Sequence, residues 1–263
     1  MLSFASLLLL GMAVVTAVLV AVASRALLRG RGARAHPSSR EFWLRLALSL
    51  LISLATLWLF TEIADNVIDQ DKLSHFDALV TAGLAPWRTS RGLAIASTVS
   101  LFGTSLVMSA LALVVLLTLH RQNWRAVVVG WTLVLGGGKL VEAVLKHTFH
   151  RTRPIGALQY LHGASYSYPS GHSMGAMIGY GLLAYLVLRR VRQPVGRAVV
   201  TAAAALIILG IGLSRLVLGV HYFTDVVGGF AAGGMWLALS LAAVEAARER
   251  LVAATGRVQQ QTA

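Results

Sequence analysis

Three short polar segments, far apart in the chain, combine cationic, imidazole and carboxylate side chains with turn residues. They read KHTFHRTRP at 146–154, PSGH at 169–172 and SRLVLGVHYFTD at 214–225. Most of the remaining sequence is rich in Leu, Val and Ala. Phosphate oxygens need several fixed hydrogen-bond donors, and cleavage of a phosphate ester needs a nucleophile and an acid. These residue types therefore predict a site that binds and hydrolyses a phosphate ester.

Three cations in these segments are suited to surround a phosphate group. Lys146 supplies a point charge, whereas Arg153 and Arg215 each supply a planar fork of donors. Lys146 ends one apolar run and Arg215 ends another, so the charges would come from two helices. A single such residue is usually explained by extension toward the membrane interface. Three of them beside two His-containing segments favour a phosphate-binding cage.

The PSGH segment lies where a polar loop gives way to an apolar run, so it predicts a turn at a helix N-terminus. Unpaired backbone N–H groups and the positive end of the helix dipole favour an anion there. Gly171 would let the backbone approach a phosphate oxygen closely, and Ser170 would donate a hydroxyl or cap the helix. Without His172 the segment would be explained by a helix cap alone.

His221 precedes Asp225 by four positions, and in a helix starting near 221 the two would share a face. The carboxylate would accept from one imidazole nitrogen, fix the tautomer and leave the other nitrogen as a nucleophile. His172, on another helix, is the candidate general acid for the leaving alkoxide. Nucleophile, orienting carboxylate, acid and cationic cage are then all present.

The composition places this site in a membrane protein. The 263 residues are 57% hydrophobic and 13% charged, with a mean hydropathy of +0.72. The apolar runs suit helices, so we predict an all-α, polytopic bundle of about seven transmembrane helices. The predicted spans are 4–24, 43–63, 93–119, 125–145, 173–189, 198–214 and 222–246.

The charge distribution predicts the orientation and argues against nucleic acid as a partner. The net charge is +13, but 15 of the 23 Lys and Arg residues fall at 25–45, 121–125, 189–197 and 248–257. These are alternate connections, so the positive-inside rule makes their side cytoplasmic. The three polar segments then open on the opposite side. We expect an inner-membrane protein whose site faces the periplasm or exterior.

Four regions follow from these patterns. Residues 1–28 form an extra N-terminal transmembrane helix, 29–41 a basic cytoplasmic linker, 42–248 a six-helix core and 249–263 a cytoplasmic tail. A cleaved signal peptide is the alternative for the first region, although no basic residue precedes Arg25. The chain has no cysteine, hence no thiolate metal site.

The connection after the second span predicts an amphipathic helix along the outer interface. Leu73, Phe76, Leu79 and Val80 recur at helical spacing among acidic residues that include Asp77. Such a helix would guide a lipid headgroup toward the site. A solvated acidic loop whose apolar stripe faces the core is an equally good interpretation.

Other polar and small residues carry weaker hypotheses. Lys139 and Glu142 share a face with Lys146, so Glu142 would pair with one or both lysines, preferably as a structural pair deeper in the bundle. The loop histidines invite a metal site, but no carboxylate lies at metalloenzyme spacing. Those histidines are His147, His150 and His162. The small-residue pattern of the last span suits close helix packing or a homodimer contact. Its glycines are Gly228, Gly229, Gly233 and Gly234.

The patterns K-x6-RP, PSGH and SR-x5-H-x3-D resemble the three signature motifs of the type 2 phosphatidic acid phosphatase family. The resemblance covers about residues 42–248, and soluble vanadium haloperoxidases are similar in the same motifs. It implies that His221 forms a phosphohistidine, Asp225 orients His221 and His172 protonates the leaving group. It also implies a phosphate held without metal or other cofactor. The holding residues would be Lys146, Arg153, Ser170, Gly171 and Arg215.

We therefore expect a membrane lipid-phosphate phosphatase that hydrolyses a phosphomonoester or pyrophosphate at the outer leaflet. The sequence leaves open a phosphotransferase that passes phosphate from a polyprenyl pyrophosphate to a lipid acceptor. A non-catalytic lipid transporter is disfavoured, because every catalytic position is filled. Phosphatidic acid, phosphatidylglycerophosphate, undecaprenyl pyrophosphate and lipid A phosphates remain candidate substrates, since they present the same phosphoryl group.

Overall fold

The computed structural model describes residues 39–69, 72–119, 124–154 and 166–261, within which all regular structure is helical. The predicted all-α class is confirmed. The helices are α1 Ser39–Asp69, α2 Lys72–Gly83, α3 Ser90–Leu101, α4 Ser105–Leu119, α5 Trp124–Phe149, α6 Gly171–Leu188, α7 Pro194–Val217 and α8 Phe223–Gln261. The predicted first span and most of the predicted linker lie outside the described residues.

The predicted spans from the second to the seventh each coincide with a helix or a helix pair. Within the described ranges, four helical stretches are apolar and long enough to cross a bilayer, and the bent pair α3–α4 would make a fifth. The four are Leu46–Asp65, Gly171–Leu188, Pro194–Val217 and Phe223–Ala243. Helix α5 covers the predicted fourth span. The protein is an integral membrane helical bundle.

The third predicted span is not one helix, as the sequence suggested, but two that meet at an angle of 43°. The break lies at Phe102–Thr104, where Gly103 is buried against α7 and a Cβ atom would lie 2.6 Å from Ile211 Cγ2. The Thr104 hydroxyl accepts a hydrogen bond from Val107 N at 3.4 Å and starts α4 anew. Close packing and a new cap therefore interrupt the apolar run.

Helix α8 lies at the centre of the bundle and α1 at its edge. Of the membrane-spanning stretch of α8, 72% is buried, compared with 17% of that of α1. Glycines allow α6 to approach α8 closely: a Cβ on Gly229 would lie 2.6 Å from Ser170 O, and one on Gly233 would lie 2.8 Å from Met174 O. The predicted use of these glycines in close packing is confirmed.

Both ends of α8 differ from the prediction. The helix begins at Phe223, two residues after His221, and it continues to Gln261 through most of the segment predicted as a tail. At its start, Tyr222 takes the N-cap position and Asp225 the third helical position. The Asp225 carboxylate accepts from Tyr222 N at 2.9 Å, the backbone half of a capping box. This contact ends the loop that carries His221.

Helix α2 has the predicted position, but its acidic face, and not its apolar stripe, faces the core. Phe76 and Leu79 of the apolar stripe are exposed, whereas Asp77 is buried. The interpretation with a core-facing stripe is therefore wrong. The reason is that buried polar partners receive Asp77, while the apolar stripe can face lipid, which makes no hydrogen bonds.

An aromatic cluster supports the end of the bundle where the polar segments meet. Tyr168 packs against Phe60 of α1 and Phe149 of α5, with ring centroids 5.7 and 4.9 Å apart. Phe60 and Tyr168 are fully buried. The backbone of Gly228 in α8 lies against the Tyr168 ring, where a Cβ would be 2.5 Å from Cε2. The cluster thus fixes the loop before α6 against three helices.

Candidate active site

The three polar segments meet at one end of the bundle, around the C-terminal ends of α5 and α7 and the N-terminal ends of α6 and α8. Ser170 N donates to Asp225 O at 2.9 Å, which joins the start of α6 to the start of α8. Arg153 Nη1 donates to Val220 O at 2.8 Å, which joins the segment after α5 to the α7–α8 connection. The chain thereby assembles one site from four helix ends.

His221 and Asp225 form a buried pair at the centre of this site. His221 Nδ1 lies 3.3 Å from Asp225 Oδ2, although His221 stands outside α8. The capping geometry makes this contact, because Asp225 turns back from the first turn of α8 toward the preceding residues. His221 is 3% exposed, so the carboxylate is its partner in place of water.

The other ring nitrogen of His221 faces a cation. His221 Nε2 lies 3.2 Å from Arg153 Nη1. A proton on Nδ1 would be donated to Asp225, and the Nε2 lone pair would then accept from Arg153. Burial lowers the pKa of His221 to about 4, although Asp225 opposes this shift. The imidazole is therefore neutral near pH 7, with Nε2 in the form that a nucleophile requires.

Arg153 is held so that its guanidinium borders the Nε2 side of His221. Besides Val220 O, it donates from Nη2 to Tyr166 O at 3.4 Å. Burial lowers the pKa of Arg153, while the nearby carboxylates of Asp225 and Glu142 oppose this shift. A guanidinium retains its charge at any physiological pH, so Arg153 presents a fixed positive charge beside the candidate nucleophile.

Arg215 is buried at the end of α7 and donates from Nη1 to Ser100 Oγ of α3 at 2.6 Å. Its Nε atom is also buried and has no hydrogen-bond partner among the described residues. A buried unsatisfied donor is costly, so its presence here favours a role of Arg215 in binding a ligand. The Arg88 side chain caps the end of α7 by donating from Nε to Val217 O at 3.1 Å.

The PSGH turn forms the N-terminus of α6, as predicted from the sequence. Ser170 is the N-cap, and its hydroxyl accepts from Ser173 N at 3.5 Å. Gly171 is the first helical residue, and the side chain that packs against it is Glu142 of α5. A Cβ on Gly171 would lie 1.9 Å from Glu142 Oε1. Because Gly171 has no side chain, an anion can approach the start of α6, and the Glu142 carboxylate does so.

His172 lies in the first turn of α6, close to the break between α3 and α4. A Cβ on Gly103 would lie 3.1 Å from His172 Cδ2, so the ring packs against the connection of the bent pair. Arg215 and His221 are among the charged or titratable groups that act on it electrostatically. His172 thus lies between the start of α6 and the connection of α3 to α4.

Arg151 and Asp77 are residues of the site that the sequence interpretation missed. Arg151 Nη1 donates to Asp225 Oδ1 at 2.6 Å, and Arg151 Nη2 donates to Asp77 Oδ2 at 2.8 Å. Asp77, which is 1% exposed, also accepts from Thr224 N and Thr224 Oγ1 at 2.9 and 2.5 Å. This network links α2 to the carboxylate that holds His221.

Opposite charges hold this network together in the interior of the protein. Burial alone would lower the pKa of Arg151, but the charge of Asp225 and the hydrogen bond and charge of Asp77 raise it overall. Arg151 thus places one positive charge between two buried carboxylates. The sequence signal for Arg151 is its position two residues before Arg153, in the first polar segment. The signal for Asp77 is an acidic residue among the apolar positions of α2.

The other polar residues that the sequence pointed to are Glu142 with its two lysines, and the loop histidines. Glu142 bridges both lysines, with Oε1 3.0 Å from Lys146 Nζ and Oε2 2.8 Å from Lys139 Nζ. Glu142 and its two lysines therefore border the site, and the predicted placement of a structural pair deeper in the bundle is wrong. His147 and His150 pack their rings against Tyr166, with centroids 5.8 and 4.4 Å away. His162 lies outside the described residues.

Comparisons with known proteins agree with this arrangement. Residues 126–249 match the model of the PAP2 superfamily. Phosphatidylglycerophosphatase B of Bacillus subtilis (strain 168) is 37% identical over 115 residues, which are 43% of this chain and 55% of that protein. The crystal structure of a transmembrane PAP2-type phosphatidylglycerolphosphate phosphatase from Bacillus subtilis has a TM-score of 0.63 at 27% identity. The structural match covers 72% of this chain and 94% of that chain.

Fold and site together define a class: an integral membrane helical bundle with a cationic, histidine-containing site at one end. Residues 126–249 are similar to the PAP2 superfamily, which confirms the resemblance drawn from the three motifs. All the site residues predicted from the sequence lie in this segment. Asp77, Arg88 and Ser100 lie outside it, so the first half of the chain adds its own contacts to the site.

Proposed function

We propose that this protein is a membrane lipid phosphatase that works through a phosphohistidine on His221. The observation that carries the proposal is the two-sided environment of the His221 ring. Nδ1 lies 3.3 Å from Asp225, and Nε2 lies 3.2 Å from Arg153, a residue suited to hold phosphate. This arrangement supports the proposal, because it places the candidate nucleophilic atom next to a candidate phosphate-binding group.

In the proposed reaction, Nε2 of His221 attacks phosphorus and the bond to the leaving oxygen breaks. His172, in its protonated form, gives that oxygen a proton, so that an alcohol leaves. Water then attacks the phosphohistidine while His172 takes its proton, and inorganic phosphate and free His221 result. Asp225 holds the tautomer throughout, and charge on the phosphoryl oxygens is met by Lys146, Arg153, Arg215 and the α6 N-terminus with Ser170 and Gly171.

The proposed substrate is a phosphomonoester or pyrophosphate of a membrane lipid. Membrane-spanning helices surround the site end of the protein, so a lipid headgroup would reach it while the acyl chains stay in the bilayer. The names of the two Bacillus relatives favour phosphatidylglycerophosphate among the candidates. Phosphatidic acid, undecaprenyl pyrophosphate and lipid A phosphates are the substrates to compare with it.

The proposed location of the site is the non-cytoplasmic face of the cell membrane. The four connections that are rich in Lys and Arg alternate along the chain with those that build the site. By the positive-inside rule, the basic connections are cytoplasmic. The reaction would then take place in the outer leaflet.

The test is phosphate release by detergent-solubilised protein supplied with each of the four lipids. We expect release of inorganic phosphate from at least one lipid, fastest from phosphatidylglycerophosphate, and none from His221→Ala protein. Transfer of phosphate to a lipid acceptor without release would establish the phosphotransferase instead. Consumption of no lipid phosphate at all would refute an enzymatic role and favour a lipid transporter.

A further inference from the structure

The anion-binding corner of the site already contains an anion from the chain itself. The Glu142 carboxylate lies against Gly171, the first residue of α6, with Oε1 3.0 Å from Lys146 Nζ. Its side chain is 12% exposed. Lys146 and the α6 N-terminus are two of the groups proposed above to hold phosphate. The carboxylate therefore occupies a position that a phosphoryl oxygen would need.

The room in this corner is too small for both anions. A methyl group on Gly171 would lie 1.9 Å from Oε1, 2.6 Å from Cδ and 3.0 Å from Oε2, so the carboxylate lies directly on the helix start. Two anions a few ångström apart also repel each other strongly in a poorly solvated site. Phosphate binding at Lys146 and Gly171 thus requires the carboxylate to withdraw.

A second cation is placed to receive the withdrawn carboxylate. Lys139 Nζ lies 2.8 Å from Glu142 Oε2, on the opposite side of the carboxylate from Lys146. Lys139 is 47% exposed and lies one turn before Glu142, whereas Lys146 is 18% exposed and lies one turn after it. A change of the Glu142 rotamer can therefore release Lys146 to phosphate while keeping one ion pair.

We propose that Glu142 is a specificity-determining residue: a resident anion that occupies the phosphate position and moves onto Lys139 when phosphate binds. The proposal rests on the function proposed above. Its consequence is weak binding of inorganic phosphate, because the free ion must displace the carboxylate without the contacts that acyl chains add. A lipid phosphate gains additional contacts through its acyl chains, so the substrate is favoured over the product.

The test is the dissociation constant of inorganic phosphate, measured by calorimetry on detergent-solubilised protein. Four proteins are compared: the native chain, Glu142→Gln, Lys139→Gln and the double variant. Glu142→Gln should bind phosphate about tenfold or more tightly, because the competing charge is removed while the shape is kept. Lys139→Gln should bind phosphate several-fold more weakly, because Glu142 then keeps only Lys146 as its cation.

The double variant separates this mechanism from a direct attraction between Lys139 and phosphate. We expect the Lys139→Gln effect to disappear in the Glu142→Gln background. An equal effect in both backgrounds would overturn the proposal, as would unchanged or weaker phosphate binding by Glu142→Gln. A merely structural role of the ion pairs would lower the unfolding temperature without this dependence on the background.

Other outcomes are also decisive. If Glu142→Gln cannot be purified, Lys139→Gln alone decides, and unchanged or tighter phosphate binding by that exposed variant refutes the proposal. Native protein that binds phosphate and shows the expected pattern, but hydrolyses no lipid phosphate, would refute the proposed function and leave the resident anion standing. Native protein could also hydrolyse lipid phosphate but bind no phosphate at millimolar concentration. In that case, phosphate binding by Glu142→Gln protein would support the resident anion, and no binding by that variant would refute it.

Discussion

Asp225 joins several parts of the site through its hydrogen bonds to the described residues. Its carboxylate contacts His221 Nδ1, accepts from Tyr222 N and accepts from Arg151 Nη1, and its backbone oxygen accepts from Ser170 N. A carboxylate with this many donors is fixed in orientation. In our account its task is therefore to set the tautomer of His221, and proton transfer falls to His172.

The pH dependence of His221 tests this environment. Because burial lowers its pKa to about 4, the ring should stay neutral as the pH falls from 7 to 5, where an ordinary His with a pKa of 6.5 becomes protonated. NMR of protein with labelled imidazoles, assigned by the signal missing in His221→Ala, measures this directly. Titration of His221 near pH 6.5 would contradict the burial argument.

The His172 assignment makes a different prediction, which concerns the leaving group. His172→Ala should lower turnover of an alkyl phosphate by roughly 10²–10⁴-fold, the usual contribution of a general acid. A phenolic leaving group needs no proton, so part of the rate should return with p-nitrophenyl phosphate. The ratio of the two rates in native and variant protein is the measurement. An equal loss with both substrates would remove His172 from the acid role.

The residue spacing made part of this site predictable. The four-residue interval between His221 and Asp225 predicted their contact, and the contact survives although α8 starts later than expected. The Glu142 position was not predictable, because its neighbour Gly171 is 29 residues away along the chain and belongs to another helix. Local spacing fixes contacts within a turn, whereas contacts between helices depend on packing.

At the scale of the elements, α2 is more than a cover for the site. Asp77 connects it to Arg151 and Thr224, and the Phe76 ring packs against Phe223 of α8 with centroids 5.3 Å apart. The hydropathy pattern predicted the helix, but not the inward face. Hydropathy ranks Asp77 as a solvated residue. Its burial is favourable because Arg151, in the segment after α5, and Thr224 of α8 are its partners.

The Asp77 contacts predict a loss of turnover from a substitution outside the matched family segment. Asp77→Asn should lower kcat roughly 10–100-fold, as is common for supporting partners of a catalytic site, and change KM less. The physical reason is that Arg151 loses a charged partner and no longer fixes Asp225. Kinetic assays of Asp77→Asn and of Asp65→Asn, an exposed acid of α1, make a matched comparison. Equal activity of the two variants would contradict the positioning role.

At the scale of the whole molecule, the two ends of the bundle have different chemistry. The buried ion pairs and both candidate catalytic histidines lie at one end, while Arg189, Arg190, Arg192 and Arg197 lie at the other, beside the α6–α7 connection. The sequence predicted this separation through charge counting along alternate connections. It did not predict the bend between α3 and α4, which depends on close packing of Gly103 against α7.

The orientation prediction follows from that separation. The chain contains no cysteine, so single cysteines at Ser90 and Gln193, both exposed, mark the two ends. In intact cells an impermeant thiol reagent should label the Ser90→Cys protein and leave the Gln193→Cys protein unlabelled until the membrane is opened. Labelling confined to position 193 would place the site on the cytoplasmic side.

Trapping of the intermediate would show whether His221 becomes covalently phosphorylated. Native protein is mixed for milliseconds with a lipid substrate carrying labelled phosphate and quenched in alkaline detergent, because phosphohistidine is stable in base and labile in acid. We predict a labelled protein band that disappears after acid treatment and is absent from His221→Ala protein. A base-stable, acid-labile label that persists in His221→Ala protein would exclude His221 as the nucleophile.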